Sequence, residues 1–318
     1  MEYHCPCPFC RGIDRFRVQP DKNFWACRQC KRSGDLVAYL VETNRITKAE
    51  AFKARHGEAA ALSLRGRSTP APTPPPPPEA ATPPGAIWQA RAWQVVADAQ
   101  AALWSKAGAR ALDWLRGRGL HDDTIQAASL GYIPADVYGD RAAWGLPEET
   151  GDNGKPKRVW LPRGVVIPWF VGRDLWRVNI RRPAGDPKYI GPTGWGNALY
   201  NADALTSDKP AVLVEGELDA LTIEQEAGDL IIPCATGSVG GARRARWEAK
   251  LLLCPVVLAA FDADDAGEDA RRWWLKAIPN GRYWRPYFGD VNAMHQKGFD
   301  LRAWILAGLR EGAAPRNA

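Results

Sequence analysis

The chain has 318 residues, 46% of them hydrophobic and 25% charged, enough for more than one domain with its own core. No apolar run approaches the roughly 20 residues a membrane span needs, and MEYHCPCPFC has neither the basic start nor the apolar stretch of a secretory signal. A cytoplasmic protein is expected. The net charge of +6 is uneven: residues 1–67 hold 13 Lys/Arg against 7 Asp/Glu, and the remaining residues hold 29 of each.

Five of the seven cysteines lie within the first 30 residues, and a reducing compartment makes them metal ligands rather than disulfide partners. Cys7-Pro-Phe-Cys10 and Cys27-Arg-Gln-Cys30 are two CxxC pairs separated by 16 residues, long enough for a β-ribbon. Four thiolates suit tetrahedral zinc and leave no open coordination position, so the site is structural. His4 and Cys5 stand close enough to substitute for a ligand. Cys7 is favoured because it forms the clean CxxC.

Thr69 to Gly85, TPAPTPPPPPEAATPPG, favours extended polyproline II and spans roughly 50 Å as a semi-rigid tether. This gives four expected segments: a zinc ribbon over 1–67, a linker over 68–85, a mixed α+β basic subdomain over 86–208 and an α/β metal-binding subdomain over 209–318. Ile87 to Leu115 reads as a single Ala-rich helix with Trp88, Val95, Val96, Leu103 and Leu112 at near-helical spacing. RGRGLHDDTIQAASLGYIP reads as a turn, a short helix and a loop. VVIPWFV and DLWRVNIRR read as two strands about a Gly-Arg turn. From Ala211 onward the order is strand, helix, strand, twice over: AVLVE, LDALTIEQEA, LIIPCA, then PVVLAAFD, GEDARRWWLKA, RYWRPYF. Such alternation predicts a mostly parallel sheet flanked by helices.

Glu215 closes the strand AVLVE and Asp219 follows four residues later; Asp262 and Asp264 close PVVLAAFD in the same way. Carboxyl ends of neighbouring parallel strands share one sheet edge, so these groups converge and call for Mg2+ or Mn2+. Asp265 and Glu268 read instead as helix caps or first-turn acids. Between Lys155 and Lys188 nine basic residues face two acidic ones. Strand alternation puts Trp176, Val178 and Ile180 in the core and Arg177, Asn179 and Arg181 on a polar face without acidic partners; Arg182 and Lys188 extend it. Phosphates of a polynucleotide or a triphosphate fit that stripe. Cys234, Cys254, Trp273, Trp274 and Trp304 read as core.

CPFC, FWACRQCKRSGDLVAYL and ITKAEAFKA resemble the zinc-binding domain of DnaG-type primases. Cys10 stands where that family commonly has His. The strand-end Glu215-Gly216 and later Asp262-x-Asp264 resemble the Toprim signature, and Asp290-Val-Asn292 resembles the family's third acidic motif, with Asn292 where many members have Asp. LDWLRGRGLHDDTIQAASLGYIP, which contains Arg118, and VVIPWFV…RVNIRRP…PKYIGP are similar to the family's catalytic core. The resemblance implies a DNA primase that copies single-stranded DNA from nucleoside triphosphates. Glu215, Asp262 and Asp264 would hold two divalent ions with Asp219 and Asp290 in support. Arg118, Arg177, Asn179, Arg181, Arg182 and Lys188 would bind nucleic acid or nucleotide, and the zinc module would contact the template. With no GxxxxGK[ST] and the chain ending soon after FDLRAWILAGLREG, a separate helicase partner and a phage- or plasmid-like enzyme are expected. A Toprim nuclease and a non-catalytic DNA-binding factor are the rival readings.

Overall fold

In the computed structural model, described over residues 2–10, 13–43 and 82–310, the chain divides into two compact units, Met1–Pro77 and Pro78–Ala318. The proline-rich segment up to residue 81 and the expected ITKAEAFKA region lie outside the described residues.

The first unit is built on β1 (Tyr3–Cys5), β2 (Phe16–Gln19), β3 (Phe24–Cys27) and β4 (Ser33–Gly34), an antiparallel sheet in that order, followed by the short helix α1 (Leu36–Glu42). So few residues cannot enclose a large core. Phe16 and Trp25 are both 3% exposed, with Phe9 and Tyr39 against them; the Trp25 ring lies 5.4 Å from Phe9 and from Phe16. Trp25 Nε1 donates to Asp35 O at 2.8 Å, tying β3 to the start of α1.

The second unit opens with α2 (Ala86–Leu103), whose buried Trp88, Ala92, Val95, Val96, Ala99 and Leu103 recur every three or four residues. The expected single helix to Leu115 is broken. Ser105 Oγ accepts the Ala107 N–H at 3.2 Å in a short turn, and a Cβ at Gly108 would lie 2.4 Å from the Ala102 and Leu103 carbonyl oxygens. The chain restarts as α3 (Ala109–Gly117) and α4 (Asp122–Ala127). A strand, β5 (Gly131–Ile133), occupies what the sequence presents as a loop. β6 (Val137–Asp140) and β7 (Arg158–Leu161) form a separate ribbon. β8 (Gly164–Val171), β9 (Asp174–Arg181) and β10 (Tyr189–Ile190) join β5 in the order β10-β9-β8-β5, all pairs antiparallel.

The remaining strands are β11 (Ala211–Val214), β12 (Ile232–Ala235), β13 (Val257–Ala259) and β14 (Gly281–Tyr283), fully parallel in the order β12-β11-β13-β14. Helices α5 (Glu217–Ala227), α6 (Ala245–Leu253), α7 (Asp265–Ala277), α8 (Val291–Gln296) and α9 (Leu301–Arg310) accompany them. Strand alternation divides the core. Val212, Val214 and Leu258 pack with Ile223, Met294 and Ile305, while Leu213, Cys234, Val257 and Ala259 pack with Trp247, Leu251 and Trp274. Apolar groups on both faces of each strand are what a sheet covered on both sides requires. The last strand is shorter than RYWRPYF, because Pro286 has no N–H to continue the ladder. Among the described residues no helix is long and apolar enough to cross a membrane.

Candidate catalytic site and metal centre

Cys7, Cys10, Cys27 and Cys30 bring their sulfurs within 4.8 Å of one another. Cys7 Sγ and Cys30 Sγ are 3.9 Å apart, Cys10 Sγ and Cys27 Sγ 3.6 Å. A tetrahedron with Zn–S bonds of about 2.3 Å has edges near 3.8 Å, so the four thiols fit a structural zinc ion. The Cys30 backbone N–H aimed at Cys27 holds that thiol down at about 6, which favours the thiolate a metal needs. His4 pairs instead with Glu2 at 2.9 Å, and Cys5 is exposed.

At the carboxyl edge of the parallel sheet, Glu215 immediately follows the central strand β11, and its carbonyl accepts the Gly237 N–H at 2.8 Å. Asp262 lies just beyond the neighbouring strand β13. Its backbone is packed so tightly that a Cβ at Gly267 would stand 2.2 Å from Asp262 O. Beneath this turn lies Arg271, 0% exposed. Its Nη2 donates to Phe261 O at 2.6 Å and to Asp262 O at 3.3 Å, and its Nε donates to Ala259 O and Trp284 O. Sequence reasoning missed Arg271, since nothing in Ala270-Arg-Arg-Trp distinguishes it from Arg272.

Asp264 and Asp290 each have a second task. Asp264 Oδ1 accepts the Gly267 N–H at 2.7 Å as the N-cap of α7, and Asp290 Oδ1 accepts the Ala293 N–H at 2.6 Å as the N-cap of α8. Asp265 and Glu268 are first-turn acids of α7, one of the two roles expected of them; the cap itself is Asp264, and Glu268 also pairs with buried Arg271. In each capping carboxylate only Oδ1 takes part in the cap. Burial raises the Glu215 carboxyl, and Asp264 adds to it. Asp262 is pushed up to about 7 by burial and then by Glu215, Asp290 and Asp264. These carboxylates repel one another across one edge, the condition that a divalent cation relieves.

Asp219 is buried beside that edge. It is 7% exposed, its Oδ1 accepts the Asn292 N–H at 2.8 Å, and burial followed by Asp290 and Asp262 raises its carboxyl well above the ordinary range. Asn292, at 1% exposure, is a buried junction. Its Nδ2 donates to Arg118 O and to Thr222 Oγ1, both at 2.9 Å, and its Oδ1 accepts from Arg118 Nη1 at 2.6 Å. An aspartate would lose both Nδ2 donors, which accounts for asparagine here. Arg118, expected to bind nucleic acid, spends one nitrogen on this link and lays its guanidinium 5.2 Å from the Trp114 ring.

The polar face of β9 is not a solvated stripe, because the unit's core covers this side of the sheet too; Asn179 is 0% exposed. It differs from expectation in having an acidic partner. Glu217, at 1% exposure, accepts hydrogen bonds from Trp169 Nε1 and Asn179 Nδ2. No sequence signal marks Glu217, since an acid in the first turn of a helix is ordinarily solvated. Arg177 donates to Asn179 Oδ1 at 2.7 Å and lies between Trp169 at 4.9 Å and Trp195 at 4.4 Å. Burial lowers its pKa and the Glu217 charge opposes that shift. Arg181 stacks on Trp114 at 4.3 Å. Arg182 lies over Trp160 at 5.1 Å and donates to Pro187 O, and Lys188 is exposed where β9 turns into β10. The contacts of Arg182 are with the β6–β7 ribbon and the β9–β10 turn, not with the carboxylate edge.

A zinc ribbon followed by a basic antiparallel sheet and an acid-edged parallel sheet is also the order found in proteins of known family. The family model for the zinc-binding domain of primase-helicase matches residues 2–37. The DNA primase of Deinococcus radiodurans is 26% identical over 97% of this chain and 55% of its own length. That of Pseudomonas aeruginosa is 26% identical over 87% of this chain and 45% of its own. By these comparisons the chain is similar to the DnaG-type primases. Its N-terminal residues match a primase zinc-binding domain, and the body that follows is similar to the primase catalytic domains. It spans about half the length of the curated primases it matches. The Aquifex aeolicus primase, in a structure of its zinc-binding and RNA polymerase domains, aligns over 96% of this chain and 78% of its own with a TM-score of 0.51 and 19% identity. A DnaG primase catalytic domain bound to ssDNA covers 70% of this chain and 81% of its own, with a TM-score of 0.56 and 20% identity. At these identities the structural likeness establishes the primase fold.

Proposed function

We propose that this chain synthesises primers: a DNA-directed RNA polymerase that joins nucleoside triphosphates on a single-stranded DNA template. The observation that carries the reading is the coupled set Glu215, Asp262, Asp264 and Asp290 at one sheet edge, within the same unit as the buried, cage-held Arg177. Glu215, Asp262 and Asp264, with Asp290 in support, are the groups to hold Mg2+ or Mn2+. Oxygen donors that are few and shared suit Mg2+, which keeps several waters and takes the rest of its shell from substrate phosphates. Such ions lower the pKa of an attacking 3′-hydroxyl and neutralise a triphosphate and its pyrophosphate leaving group.

The protein's own share is positioning. Arg271 fixes the turn that presents Asp262, and the Asn292 junction fixes Asp219 and Arg118. Trp169, Trp195 and Asn179 hold Arg177 in one orientation, ready for a phosphate without loss of side-chain freedom. Arg181, Arg182 and Lys188 lead outward along the hairpin and suit template phosphates. Tied by its tether, the zinc module acts as a second template contact at raised local concentration. A replicative helicase is the expected partner. Incubation with labelled nucleoside triphosphates, Mg2+ and a panel of single-stranded templates tests the reading. New oligomers are expected; shortened template without new oligomers would point to a nuclease instead.

A further inference from the structure

The turn between β14 and α8 carries rings that no core takes up. Tyr287 is 62% exposed, Phe288 37% and Phe299, just after α8, 39%. They form one cluster: the Phe299 ring centroid lies 5.7 Å from Tyr287 and 5.1 Å from Phe288. Lys297 Nζ stands 4.4 Å over the Phe288 ring, and Arg285 Nη2 donates to Ala263 O at 2.9 Å. Neither cation has an ion-pair partner among the described residues. Asp300, the acid beside Phe299, is occupied as a cap, its Oδ1 accepting the Ala303 N–H at 2.8 Å.

Scattered exposed rings are ordinary, but a contiguous set flanked by free cations is not. Its location is also specific. Gly289 O accepts the Ala263 N–H, between Asp262 and Asp264, at 2.6 Å, and Asp290 is the next residue. Tyr287, three residues from Asp290, is therefore within about 10 Å of it along the chain. The cluster borders the acidic edge.

We propose that Tyr287, Phe288 and Phe299, with Lys297 and Arg285, form a stacking platform for unpaired bases of the single-stranded template beside the catalytic carboxylates. Every base offers an aromatic face, so rings of this kind hold a strand without reading its sequence, while neighbouring cations answer its phosphates. A nascent primer is base-paired and keeps its faces covered; the template ahead of it does not. The proposal rests on the primer-synthesis reading and adds a contact that the zinc module and the β9 arginines do not supply.

The test uses the full zinc-loaded chain, a single-stranded DNA carrying one 2-aminopurine, and buffer without Mg2+ or nucleotide, so that binding is measured apart from chemistry. Stacking should quench the fluorophore on binding to the wild type. Tyr287→Ala should raise the template Kd by about five- to 150-fold, the range for loss of one base–aromatic stack, and Tyr287→Trp should restore both affinity and quenching. Phe299→Ala should act in the same direction. An unchanged Kd in Tyr287→Ala, or affinity restored equally by Tyr287→Leu, overturns the platform. So does a wild-type dimer in sedimentation that Tyr287→Ala disperses, since a second copy would then cover the rings. Primer assays separate the two readings. Synthesis with an unchanged Kd in the variant ends the platform alone, and stacking without any synthesis by the wild type ends the primase reading alone.

Discussion

Replacing Arg271 with Met keeps the length and apolar volume of the side chain and removes its fork of donors. Five contacts disappear: those to the carbonyls of Ala259, Phe261, Asp262 and Trp284 and that to the Glu268 carboxylate. Ala259 O keeps the Trp284 N–H at 3.3 Å, so two or three carbonyls are left short of a partner. A buried acceptor left unsatisfied costs about 1–3 kcal/mol, for a gross loss of ~2–9 kcal/mol. The relief of no longer burying a guanidinium offsets part of this, leaving a net loss of about 3 kcal/mol. At roughly 2–4 °C per kcal/mol for a unit of this size, the Tm should fall by about 6–12 °C. Arg272→Met is the control. That side chain is 69% exposed and pairs only at the surface with Glu268 and Asp269, so its loss should move Tm by less than about 2 °C. Thermal unfolding followed by circular dichroism measures both. If Arg271→Met unfolds within about 1 °C of Arg272→Met, the account of how the Asp262 turn is held is wrong. A second readout is the Mg2+ midpoint for primer synthesis, which should rise in Arg271→Met because Asp262 is no longer presented by a pinned turn.

Zinc analysis should give one ion per chain, and Cys27→Ser should bring that to near zero while the Pro78–Ala318 unit keeps its unfolding transition; retained zinc would refute the ligand set. Glu215→Gln and Asp262→Asn should lower primer synthesis on the order of a hundredfold or more while leaving template affinity without Mg2+ nearly unchanged. Asn292→Ala should destabilise the chain by about 2–4 kcal/mol in chemical denaturation, because it orphans both Arg118 contacts and that to Thr222 while the backbone N–H to Asp219 remains; a loss below about 0.5 kcal/mol would show the junction to be incidental. Asp262, raised to about 7 from an ordinary carboxyl value of 3.8, binds a proton in the folded chain that the unfolded chain has already lost. Its contribution to stability is therefore fully present below about pH 4 and lost as pH rises through about 7. Without Mg2+ the wild-type Tm should fall relative to Asp262→Asn between pH 5 and 8, and Mg2+ should remove that slope.

Residue spacing alone determined the four-cysteine cluster and the parallel character of the second sheet, though not its strand order. Two CxxC pairs can close on one ion whatever surrounds them, and a strand-end carboxylate is placed by its strand, so Glu215 and Asp262 were legible without coordinates. Local pattern also placed α5 and α7 and the strands of the β8–β9 hairpin, where apolar runs and the Gly172 turn leave little choice. Tertiary structure decided the rest. Gly108 breaks the first long helix through a close approach to the preceding turn, which is a distance and not a composition. Alternation separated Arg177, Asn179 and Arg181 from Val178 and Ile180, but a register shift at Trp169/Phe170 puts Trp176 in the opposite cluster from Val178 and Ile180, and alternation cannot tell what lies opposite the polar face. The second unit's core covers it, and Glu217 becomes a buried partner. Asp264, expected as a metal ligand, and Asp290, expected in support, also cap helices, because the chain turns into α7 and α8 at those residues. Arg271 and Arg272 are adjacent, identical and opposite in fate, one fully buried and one exposed. A sequence gives both the same chemistry, and only the helix face on which each falls decides which of them holds the site.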